Sequence, residues 1–185
     1  MSKGLEARAH ALEGVFFAKQ DQELLEGLRQ KRQGEDLARA TGIDDADTIA
    51  LLIGAGIRVE TLVALLLAPM VEIAWADGLV TPLERNTFHA DLANAGIRPS
   101  SPAGRILERW LEQGPPDGLM DAWSRYVEAL SGTMDTAAFA QLGDTVVRLC
   151  RSEADADGGV LRIGRRVSAA EAAILEAVEA AFDLV

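Results

Sequence analysis

One pattern is written twice in this chain, and that duplication constrains the fold more than any other feature. The first copy runs Glu72-Ile-Ala-Trp-Ala-Asp77-Gly78, then Val80-Thr81-Pro82-Leu83-Glu84. The second runs Glu153-Ala-Asp-Ala-Asp157-Gly158 and, after a longer insert, Val167-Ser168-Ala169-Ala170-Glu171. Residues of helical periodicity flank each copy, so the unit is a helix, an acidic turn and a second helix.

Local backbone chemistry accounts for much of the pattern. Thr81-Pro82-Leu83-Glu84 reads as a capping box, with the threonine accepting from the N3 amide, proline at N1 and Glu84 reaching back. Ser168-Ala169-Ala170-Glu171 repeats the device. Asp77-Gly78 and Asp157-Gly158 tolerate the left-handed conformation that closes a preceding helix. A second reading adds ligand chemistry, because each turn gathers carboxylates. Oxygen-only ligands suit a hard cation such as Ca²⁺ or Mg²⁺. Acidic groups at a helix N-terminus are also favoured by its dipole, so clustering alone does not require a metal.

The second turn mimics the start of an EF-hand loop, with oxygen ligands at Glu153, Asp155 and Asp157. Position twelve, however, is Gly164, where a bidentate glutamate belongs, and the first copy has Ile73 and Trp75 at ligand positions. We exclude an EF-hand. The insert Gly159 to Arg166 places Arg162, Arg165 and Arg166 in an acidic protein. A solvated loop is the simpler reading, and contact with an anionic ligand or an acidic partner the alternative. Its glycines lack P-loop spacing and lysine.

Charge narrows the partners. Eighteen Lys and Arg against 29 Asp and Glu leave a formal charge of -11. Phosphate backbones are bound by neutralising cations, so a nucleic-acid partner is not expected. Cation binding or a basic protein partner fits better. Glu35 to Ile43 followed by the helix from Asp47 has the outline of a DNA-binding helical pair. Its second helix offers Asp44, Asp45 and Asp47 with Ile49, Leu51 and Leu52, which neither read bases nor hold phosphates. The lone Cys150 excludes an intramolecular disulfide framework and, beside Val146, Val147 and Leu149, reads as a small buried hydrophobe.

Catalytic patterns are missing. His10 and His89 stand far apart, and there is no zinc-type His-Glu-x-x-His, nucleophile elbow or Cys-His arrangement. Paired carboxylates could serve a hydrolase, and a deep pocket over the acidic turns would favour that reading.

Along the chain we expect a first helix to about Lys31 with Phe17, Leu24 and Leu28 on one face, then short helices at Glu35–Thr41 and Asp47–Ala55. Val59 to Trp75 is strongly apolar, and Pro69 must kink it or open a new helix. Helices follow from Pro82 and Pro102. Gly114-Pro115-Pro116-Asp117-Gly118 is a sharp break, and three further helical faces run through Trp123, Val146 and Val178. The three tryptophans read as core anchors. No stretch reaches the ~20 apolar residues of a membrane span, and the N-terminal residues lack a secretory pattern, so a cytoplasmic location is expected.

The run Met70-Val-Glu-Ile-Ala-Trp-Ala-Asp-Gly-Leu-Val-Thr-Pro-Leu-Glu84, repeated more loosely from Leu149 to Ile174, resembles the tellurite-resistance TerB-like family. That family is all-helical, with two similar halves that each carry an A-D-G-x-[IV]-[ST]-x-x-E turn. The resemblance covers roughly Val59 to Phe182. It implies a non-enzymatic module linked to chemical stress, binding metal through those acidic residues and assembling with other proteins. Carried onto this chain, the metal candidates are Asp77 and Glu84, then Asp157 and Glu171, with Glu72 and Glu153 secondary.

The expected architecture is therefore an all-α, internally duplicated helical bundle of about seven to nine helices. An N-terminal helical arm would occupy 1–57 and the duplicated domain 58–185. The leading function is a cation-binding, protein-interaction module. A purely structural or protein-interaction domain without metal and a carboxylate-based hydrolase are the alternatives, and a homo-oligomer is left open.

Overall fold

Prolines and short polar caps set where the helices begin. The computed structural model describes residues 24–156 and 168–183. Residues 24–41 are helical (α1). They are followed by α2 (Ala46–Gly54), a 3₁₀ turn at Val59–Thr61, α3 (Leu62–Leu66), α4 (Ala68–Ala74), α5 (Pro82–Asn94) and α6 (Pro102–Gln113). The order ends with α7 (Leu119–Ser131), α8 (Thr136–Ala156) and α9 (Ala169–Phe182). There is no strand among the described residues, and the fold is all-α as expected. Phe17, His10, Asp157 and the arginines of the insert lie outside the described residues.

The helix starts follow from side chains that satisfy orphan amides. Asp45 accepts from Thr48 N at 2.8 Å and opens α2, Ser101 accepts from Gly104 N at 3.1 Å and opens α6, and Asp135 accepts from Ala138 N at 2.9 Å ahead of α8. Pro69 resolves as the opening of a new helix: it lies in the first turn of α4, where no amide donor is needed. Gly118, at φ 79°, turns the chain into α7 in a conformation that side-chain-bearing residues resist.

Two details of the N-terminal third differ from expectation. The break anticipated near Lys31 is absent, because the helix runs through Gly34. A helical glycine costs about 1 kcal/mol relative to alanine but does not by itself end a helix. The chain also divides into compact units at Asp36/Leu37 rather than at 57/58. The reason is burial: Leu37, Ile43, Ile49, Leu52 and Ile57 all belong to the core of the second unit. Within the first unit, the described residues 24–36 are helical, with Leu24, Leu25 and Leu28 exposed.

The core of the second unit places the two copies against each other. α4 packs on α8 and α9, α5 packs on α8, and α8 packs on α9. Trp110, Trp123, Phe88 and Phe139 are buried at its centre, each such side chain worth roughly 1.5–3 kcal/mol on leaving water. Two tryptophans also stitch helices together: Trp75 Nε1 donates to Leu111 O and Trp123 Nε1 to Leu66 O, both at 3.1 Å. Among the described residues no single helix is long and apolar enough to cross a membrane.

Candidate functional site

Both capping boxes form. Thr81 Oγ1 accepts from Glu84 N at 3.3 Å, while Glu84 Oε2 accepts from Thr81 N at 2.5 Å. In the second copy Ser168 Oγ accepts from Glu171 N at 3.1 Å, and Ser168 N donates back to Glu171 Oε2. Both glutamates are thereby drawn inward, to 3 % and 4 % exposure.

The other candidates scatter. Asp77 is exposed, and its Oδ1 accepts from Leu79 N at 3.0 Å, closing its own turn. Glu72 sits half-buried on α4, its acidity weakened first by burial and then by the charge of Asp117. It lines a cavity of about 290 Å³ with Asp117, Asp121 and the Pro115-Pro116 step, which Asp77 does not line. Asp157 lies outside the described residues, so the second turn is represented only by Glu153 and Glu171.

Glu153 is the exception. It lies near the end of α8, 1 % exposed, and neither carboxylate oxygen has a hydrogen-bond partner. Burial, followed by the charges of Asp91 and Glu84, pushes its pKa up to about 8. An ionised carboxylate in such a place is costly unless a proton or a cation neutralises it.

Asp91 is a site residue that sequence reasoning missed. It follows Glu84 by seven residues, about two helical turns, which puts both on one face of α5. It is 9 % exposed and its Oδ2 lacks a partner. The available signal was an aspartate directly before Leu92 and three residues after Phe88, on an apolar face. The structure therefore groups Glu84, Asp91 and Glu153 across the α5–α8 contact. Among the described residues no group of three or more His, Cys, Asp or Glu side chains is already gathered in metal-holding geometry.

The remaining polar features serve packing. His89 Nε2 meets Glu108 Oε2 at 2.7 Å and an Arg85 guanidinium nitrogen meets Glu108 Oε1 at 3.2 Å, linking α5 to α6. Half-exposed pairs of this kind contribute about 0–1 kcal/mol. A groove of about 660 Å³ runs along α8 and α9 past Asp144, Arg148, Arg151 and Glu179, and neither Asp77, Glu84 nor Glu153 lines it.

Comparison with known proteins finds no matching family model, no matching curated protein and no matching solved structure.

Proposed function

We propose that the chain is a non-enzymatic, TerB-like helical module that binds a divalent cation through carboxylates and works by contact with a protein partner. The observation that carries this reading is the Glu153 carboxylate, buried with both oxygens unpartnered beside two further acidic groups. Oxygen ligands and a local excess of negative charge favour Ca²⁺ or Mg²⁺ over softer metals. The formal charge of -11 suits a basic partner surface. The link to chemical stress comes from the family resemblance alone.

Thermal unfolding tests the cation part. A ligand bound only by the native state raises Tm with its concentration. Chelator-treated protein is expected to gain several degrees in millimolar Ca²⁺ or Mg²⁺. An unchanged Tm in both would contradict it and leave the second reading, a protein-interaction domain without metal. That reading is favoured by the capping boxes, in which Glu84 and Glu171 each accept a backbone hydrogen bond.

A further inference from the structure

We propose that the chain holds a hard divalent cation between its two copies, bound by Asp91 and Glu153 with Glu84 beside them, and none in the Asp77-Gly78 turn. This rests on the cation reading above and gives it a place.

The argument comes from comparing the two copies in register. Counted back four residues from the turn aspartate, Glu153 of α8 stands where Ile73 stands in α4. Counted forward seven residues from the capping glutamate, Asp91 of α5 stands where Val178 stands in α9. The duplicated scaffold uses these helices in matching contacts, α5 against α8 and α4 against α9. In the α4–α9 contact both positions are apolar and closed, with Ile73 2 % exposed and Val178 fully buried. In the α5–α8 contact both are carboxylates, Glu153 1 % and Asp91 9 % exposed. The fold therefore works with aliphatic side chains at these two places, and a pair of acids there has no packing reason.

What neutralises them must be small. Glu153, 1 % exposed, is too deeply buried for a partner's lysine or arginine to reach, which leaves a proton or a small ion to neutralise it. Both Glu153 oxygens and Asp91 Oδ2 are without hydrogen bonds, so three oxygen donors stand ready for a ligand. Glu84 is fixed beside them by its capping box and adds a third negative charge. Two carboxylates plus retained water match the way Mg²⁺ is usually held, and Ca²⁺ accepts the same donors with more freedom. Among the described residues the three carboxylates are not gathered as a metal-holding group, so binding requires their side chains to rotate towards a common point. The Asp77-Gly78 turn is a poorer host, since Asp77 is exposed and already spends an oxygen on its own backbone.

Calorimetric titration with MgCl₂ and with CaCl₂ tests this on the full chain and on Glu153→Gln, Asp91→Asn and Asp77→Asn. The parent chain and Asp77→Asn are expected to bind with the same affinity, and Glu153→Gln and Asp91→Asn at least tenfold more weakly. Both isosteric amides remove repulsion between buried acids, so the two variants should melt no lower than the parent in chelator. A lower melting temperature would itself contradict the assigned repulsion. No binding by the parent chain sinks the cation reading and this inference together. Binding lost in Asp77→Asn and kept in Glu153→Gln overturns only the assigned place.

Discussion

Glu153 and Ile73 occupy the same register ahead of their Asp-Gly turns and are buried to the same degree, 1 % and 2 % exposed. One copy fills the position with hydrocarbon and the other with a carboxylate. A buried acid costs stability that a buried isoleucine does not, and its consequences can be measured.

The first concerns pH. The Glu153 pKa is raised from 4.5 to about 8, by burial first and then by Asp91 and Glu84. Folding therefore favours the protonated form. The metal-free protein should be most stable with respect to this group below about pH 4.5 and lose that contribution as pH rises towards 8, on the order of 3–5 kcal/mol in all. Glu153→Gln should flatten this part of the profile, as measured by urea unfolding between pH 5 and 9 in chelator. A parent profile as flat as that of the variant would contradict the assignment.

A second prediction separates capping from ligation. Thr81→Ala and Ser168→Ala each remove a side chain that accepts from an N3 amide, and each should cost about 1 kcal/mol. Because the hydroxyls are not ligands in this account, the loss should be the same in chelator and in saturating Mg²⁺. Equilibrium unfolding under both conditions checks it.

Packing between α8 and α9 offers a third. A Cβ added at Gly143 would lie 2.8 Å from Phe182 Cβ and Cγ. Phe182 also meets the rings of Trp123 and Phe139, at 6.1 and 5.2 Å between centroids, so it has little room to retreat. Gly143→Ala should destabilise by about 1–3 kcal/mol through overpacking. Thermal unfolding would show it as a lower Tm with cation affinity unchanged.

Cys150 supplies a fourth. Burial, with help from the charge of Glu153, pushes its thiol up to about 12. A thiol reagent at pH 8 should therefore modify the native protein only at the rate of opening and the unfolded protein at once. Rapid native labelling would contradict the packing of α8.

Much of this fold was legible because its determinants are local. Thr81-Pro82-Leu83-Glu84, Ser101-Pro102 and the glycine breaks act within one helical turn, and each behaves as its chemistry dictates. The start of α4 at Pro69 was legible as one of two outcomes. The site was less legible, because it depends on which helix faces which. Glu72 and Glu153 each open a copy of the pattern as written, yet they stand one position apart in register, and Glu72 meets the charge of Asp117 while Glu153 meets those of Asp91 and Glu84. Asp91 is a single acid on a helix, ordinary until α8 is packed against it. The break expected near Lys31 failed because helix propagation through Gly34 outweighs one glycine's cost.

The most direct measurement is the carbon-13 NMR shift of the Glu153 side-chain carboxyl, assigned by its loss in Glu153→Gln and followed against pH in chelator and in saturating Mg²⁺. The account predicts an apparent pKa near 8 in chelator and an ionised carboxylate already at pH 7 with the cation. A carboxyl that titrates near its ordinary value of 4.5 in chelator, or one that ignores Mg²⁺ and Ca²⁺ alike, would contradict it.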